Sequence, residues 1–173
     1  FVDQIVEHAR LHLGTSATAL FASGFSNGGF LVSELPRLSA HRWLAIAPTA
    51  GHEYDSFNNS RTPVAVAYHH CAVDDEVKVG GCCRNSGCCC NIGATRNECV
   101  SSREIHVRWM ARNRCSGEHT ESLTSAAAVC WVGDGCAAET RLCLHSECFH
   151  TAWASNFPAV DSLASFFARQ LRT

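Results

Sequence analysis

Ser26 lies in Gly24-Phe25-Ser26-Asn27-Gly28, a G-x-S-x-G pattern that follows a short apolar run and precedes an amphipathic one. Such a pattern suits a serine nucleophile for a steric reason. A serine at the tip of a sharp strand-to-helix turn has strained backbone geometry, which lifts its hydroxyl clear of the sheet. Gly24 and Gly28 are expected to be glycine because side chains there would collide. The backbone N–H of Asn27, opening the next helix, is expected to face a developing oxyanion. The chemistry would be attack of the Ser26 hydroxyl on a carbonyl carbon.

A hydroxyl at its free pKa is a weak nucleophile and needs an adjacent base, itself oriented by an acid. The chain has ten histidines, and His150, His145 and His119 are the candidates for the base. Asp74-Asp75-Glu76 offers the acid. A metal reading is open to the cysteine-rich run Cys82-Cys83, Cys88-Cys89-Cys90 and Cys99. Structural zinc prefers C-x₂₋₄-C pairs, whereas adjacent cysteines suit separate disulfides, so no metal site is assigned. Cys71, near His69 and His70, is a rival nucleophile without an oxyanion turn around it.

The elements that must carry these residues alternate. A helix over residues 1–13 has Val2, Ile5, Val6, Ala9 and Leu13 on one face, with Gly14 as C-cap. Residues 18–22 read as a buried strand and residues 27–38 as a helix that Pro36 should kink or end early. Residues 43–48 and 63–68 read as buried strands. Residues 101–114 form a helix capped by Ser101 or Ser102. Residues 115–138 are irregular except for a short strand near 127–132. Residues 140–145 make the last strand, and residues 161–171 a closing helix with Leu163, Phe166, Phe167 and Leu171 inward. This alternation predicts an α/β fold: a mainly parallel sheet with helices on both faces, in a single domain over residues 1–173. Residues 82–100 form a cysteine-rich excursion from it. Ligands of such sheets bind at the carboxyl ends of strands. Ser26, Asp74-Asp75 and His150 all follow strands at that end, in the chain order nucleophile, acid, histidine.

Composition narrows the function. Of 173 residues, 46% are apolar, and the formal net charge is −2. No basic stripe suggests nucleic acid, no polybasic patch suggests anionic lipid, and no apolar run approaches a membrane span. Twelve cysteines point to disulfides in a secretory or extracellular compartment. Asn58-Asn59-Ser60 is a glycosylation sequon, with Asn58 the acceptor. A chain that begins at Phe1 within an amphipathic helix is expected to be an N-terminally incomplete piece of a longer protein.

Taken together, GFSNGGF followed after a helix by AIAPTAG resembles the polyhydroxybutyrate depolymerase and feruloyl esterase group of α/β-hydrolases. His70-Cys71-Ala72-Val73-Asp74, with Val77 and Gly80-Gly81, resembles that group's H-G-x-x-D-x-x-V element. Trp109 to Cys115 resembles its helix ending in N-G-C, and His150-Thr151-Ala152-Trp153 its late G-H-T-W segment. The resemblance spans nearly the whole chain. It implies a secreted serine esterase with Ser26 as nucleophile, Asp74 as acid and His150 as base. Asn27 would supply an oxyanion donor, and Phe25 and Trp153 would line the substrate pocket. No cofactor is implied. The partner would be an ester, small or polymeric, and the state monomeric.

The chain departs from that pattern near the acid and around the histidine, where the group's following Pro-Gly is also missing. Cys71 replaces a glycine, Phe149 stands where glycine precedes the histidine, and Ala152 interrupts H-T-W. The group's early strands and His-Gly oxyanion loop have no counterpart here. The chain alone is therefore expected to be a poor esterase, which equal ester turnover by an N-terminally extended chain would refute. Two rivals stand beside the hydrolase: an inactive relative serving as a cysteine-stapled binding module, and a cysteine-rich metal or redox protein.

Overall fold

The two runs of small and β-branched residues become interior strands, β2 (Ala45–Thr49) and β3 (Ala65–Cys71), and every residue of both is buried. Strands covered on both faces have no use for polar alternation. A computed structural model describes residues 1–14, 19–51, 53, 62–81, 100–123, 127–150 and 159–172. Among them, β1 (Phe21–Phe25), β4 (Gly117–Leu123), β5 (Ala128–Asp134) and β6 (Thr140–His145) complete a six-stranded sheet ordered β1-β2-β3-β6-β5-β4. The first four in that order run parallel; β5 and β4 extend the sheet antiparallel.

Four helices are described: α1 (Val2–Leu13), α2 (Asn27–Leu38), α3 (Ser102–Arg112) and α4 (Ala159–Gln170). Ile46, Val66, Tyr68 and Leu142 on one sheet face pack with Val32 and Leu35 of α2 and with Ile105 and Trp109 of α3. The other face is lined by Ala45, Ala47, Ala65 and Ala67, small enough for Phe166, Leu163 and Phe167 of α4 to pack on them. The chain is thus a mixed α/β protein with a mostly parallel sheet and helices on both faces.

Several boundaries differ from expectation. β1 begins at Phe21 and runs to Phe25, because pairing with all five residues of β2 holds Gly24 and Phe25 extended. β4 occupies a stretch expected to be irregular. α2 continues through Pro36 to Leu38, and Asp3 of α1 accepts the Ala40 N–H just beyond its end, at 2.9 Å. On α1 only part of the expected face is used. Val2 and Val6 reach the core, whereas Ile5 and Leu13 are exposed. Leu171, expected inward, is also exposed. Gly14 does cap α1 in the left-handed conformation (φ 59°), and Ser101 caps α3 by accepting the Glu104 N–H at 3.1 Å.

Three disulfides are present among the described residues: Cys71–Cys148, Cys115–Cys136 and Cys130–Cys143. Cys130 and Cys143 face each other in register on β5 and β6. Cys115–Cys136 joins the start of β4 to the turn after β5, closing over Gly133, where a Cβ would fall 2.6 Å from one sulfur and 2.7 Å from the other. The cysteine-rich run at residues 82–99, Asn58 and Trp153 lie outside the described residues. Among the described residues, no helix is long and apolar enough to cross a membrane.

Candidate active site

Three loops at the carboxyl ends of β1, β3 and β6 deliver Ser26, Asp74 and His150 to one place. Ser26 is the N-cap of α2, with φ 54° and ψ −120°, a conformation that costs an L-residue of order 1–3 kcal/mol. The surroundings enforce it. The Ser26 N–H donates to Thr49 O at 2.9 Å, and Ser26 O accepts the Phe30 N–H at 3.0 Å. A Cβ on Gly24 would fall 2.3 Å from Gly28 O. Gly28 itself differs from expectation: nothing lies within 4 Å of where its Cβ would be. The backbone of Gly28, rather than its missing side chain, makes the close approach. Beside the elbow, Gly29 and Gly51 are sterically required: a Cβ on Gly29 would meet Thr49 O at 2.6 Å, and one on Gly51 would meet the Phe30 N at 2.5 Å.

Asp74 is buried, whereas its neighbours Asp75 and Glu76 are exposed. Its Oδ1 accepts the backbone N–H groups of Glu76 at 3.0 Å and Val77 at 2.7 Å, so the carboxylate is fixed by its own turn. The other oxygen, Oδ2, lies 2.9 Å from His150 Nδ1. Because a carboxylate only accepts, Nδ1 carries the proton and Nε2 presents a lone pair. That Nε2 lies 2.9 Å from Ser26 Oγ. The His150 N–H also donates to Asp75 Oδ1 at 3.4 Å. Phe25, the last residue of β1 and half-exposed, packs its ring 5.0 Å from the His150 ring.

A second layer holds the acid turn. His70, fully buried on β3, donates from Nε2 to Val77 O at 2.6 Å and accepts at Nδ1 from Ser102 Oγ at 3.2 Å. Burial holds its pKa below the ordinary histidine value, with Val77 and Asp74 pulling the other way. It is therefore a neutral strut between α3 and the Asp74 turn. The residues gave it away only as the histidine before Cys71; its partner Ser102 carried no signal beyond a candidate helix cap.

The other candidates are engaged elsewhere. His145 Nε2 meets His69 Nδ1 at 3.1 Å inside the sheet. His119 is exposed on β4, 2.7 Å from Asp134. Cys71 is joined to Cys148 and presents no thiol. Among the described residues, no group of three His, Cys, Asp or Glu side chains is placed to hold a metal ion.

An imidazole held between a hydroxyl and a carboxylate can take the hydroxyl proton as the oxygen attacks, and the carboxylate stabilises the imidazolium formed. Asn27, as first residue of a twelve-residue helix, has no partner for its N–H within that helix. The helix dipole favours negative charge beside it. No protein-family model matches the chain, and no curated protein matches it.

Proposed function

We propose that the protein is a serine carboxylic-ester hydrolase of the α/β-hydrolase type, working through an acyl-enzyme. The observation that carries this reading is His150, 2.9 Å from Ser26 Oγ on one side and 2.9 Å from Asp74 Oδ2 on the other. Ser26 attacks the ester carbonyl while His150 takes its proton. The tetrahedral oxyanion forms against the Asn27 N–H, and His150 returns the proton to the leaving alcohol. Water, deprotonated by His150, then releases the acid. Phe25 is assigned to the substrate pocket, and the ester belongs to a polyester or a polysaccharide. The three disulfides support an extracellular site of action.

Mixing the protein with a p-nitrophenyl ester tests the reading. A burst of p-nitrophenol equal to the enzyme concentration, absent in Ser26→Ala, is expected. Unchanged turnover by Ser26→Ala would contradict it. Ester binding without turnover in the wild type would favour the binding-module rival.

A further inference from the structure

Cys71 ends β3, three residues before Asp74, and Cys148 lies two residues before His150. Their disulfide and the Asp74–His150 hydrogen bond are therefore the two closures of one small ring: Cys71 to Asp74 along one side, Cys148 to His150 along the other. Cys71 is fully buried against Ala50, the residue after β2, which ties the end of β2 to β3 by donating its N–H to His69 O at 2.9 Å. Next to the bridge, the Ala72 N–H donates to His145 O at 2.8 Å, closing the base of the ring. Cys71 is also where the resemblance expects glycine, so the departure and the strap are one feature.

We infer that Cys71 and Cys148 are positioning residues: their disulfide sets where the His150 imidazole stands relative to Asp74 and Ser26. This inference rests on the esterase reading. The physical need is clear from the connectivity. His150 stands five residues beyond the end of β6, and a general base displaced by about 1 Å costs roughly a hundredfold in rate. A covalent link two residues away removes most of that freedom from both loops at once.

The experiment compares two double variants, Cys71→Ala/Cys148→Ala and Cys130→Ala/Cys143→Ala, below the melting temperature of each. The second removes a bridge remote from the site and serves as the control for general loss of stability. Turnover of a p-nitrophenyl ester is read together with the far-downfield proton NMR line of His150 Nδ1–H, assigned by its loss in His150→Ala. Removing the Cys71–Cys148 bridge is expected to lower kcat about a hundredfold with KM within about threefold, and to broaden or abolish the line. The Cys130–Cys143 control is expected to keep both. A third variant, with one glycine inserted after Cys148, keeps every disulfide but lengthens the arm, and is expected to behave like the first. A folded Cys71→Ala/Cys148→Ala protein or insertion variant with wild-type kcat and an unchanged line overturns the inference. If the wild type turns over no ester, the esterase reading fails, while the NMR line of the insertion variant still decides the positioning claim.

Discussion

The α-carbon of Gly24 lies so close beneath the Gly28 carbonyl that a Cβ on Gly24 would fall 2.3 Å from its oxygen. The strained turn at Ser26 depends on this approach between the end of β1 and the first turn of α2. Gly24→Ala is expected to destabilise the protein by about 1–3 kcal/mol, through forced backbone shifts, and to abolish ester turnover. Gly28→Ala, whose new methyl meets open space within a helix, is expected to hold or raise the melting temperature, by up to about 1 kcal/mol of stability. Thermal unfolding of the two variants separates these outcomes.

Asn113 ties three elements at one point. Its Nδ2 donates to Val64 O and to Thr140 Oγ1, both at 2.8 Å, and its Oδ1 accepts the Val64 N–H at 3.1 Å. Asn113→Ala leaves buried backbone groups of Val64 without partners and is expected to cost about 2–3 kcal/mol by urea denaturation.

Arg114, next in the chain, holds φ 56° and is exposed. The left-handed region costs an L-residue about 1–2 kcal/mol, part of which glycine returns as unfolded-chain entropy. Arg114→Gly is expected to stabilise the protein by about 0.5–1 kcal/mol, measured as a raised urea midpoint with unchanged m.

Stability should peak near pH 6.5. Burial lowers His69 to about 3 and His106 to about 4, and lowers His70 as well. Below 6.5 the unfolded chain binds these protons and the folded one does not, so stability falls on acidification. Glu53 runs the other way: burial, then Glu34, raises it to about 8, against Arg112, Trp109 and Arg108. Between its ordinary value and about 8 the folded chain alone holds that proton, so stability falls as pH rises, by up to about 1.4 kcal/mol per unit. Glu53→Gln is expected to flatten the alkaline side in thermal scans from pH 4 to 9 and to steepen the fall below pH 6.5, where the Glu53 proton otherwise partly offsets the histidines. An equally steep alkaline fall in that variant would count against the assignment.

Much of the fold was legible because the informative signals are local. Residues 43–48 and 63–68 read as buried strands since both faces are covered, with bounds one to three residues from those of β2 and β3, and Gly14 and the Ser101-Ser102 pair announced helix ends by their own chemistry. The elbow around Ser26 and the acidic run Asp74-Asp75-Glu76 were readable as residues of the right types after strands, whereas the choice of Asp74 within that run, and of His150 over His145 and His119, came from the resemblance. β4 was not, because GEHTESL is a largely exposed strand whose seven-residue pairing with β5 and ion pairs such as Arg103–Glu118 replace apolar patterning. The partner of Cys71 was equally hidden, since disulfide pairing depends on which loops meet at the sheet edge. The strut from Ser102 through His70 to the Asp74 turn joins residues 32 apart in sequence, which no local pattern encodes.

The central claim is that Ser26 is a nucleophile activated by His150. Intact-mass analysis after treatment with a fluorophosphonate tests it most directly. The account predicts one adduct per chain, mapped to Ser26, absent in Ser26→Ala, and formed at least a hundredfold more slowly in His150→Ala. No adduct on Ser26 in the folded wild type, or labelling at an equal rate in His150→Ala, would contradict it.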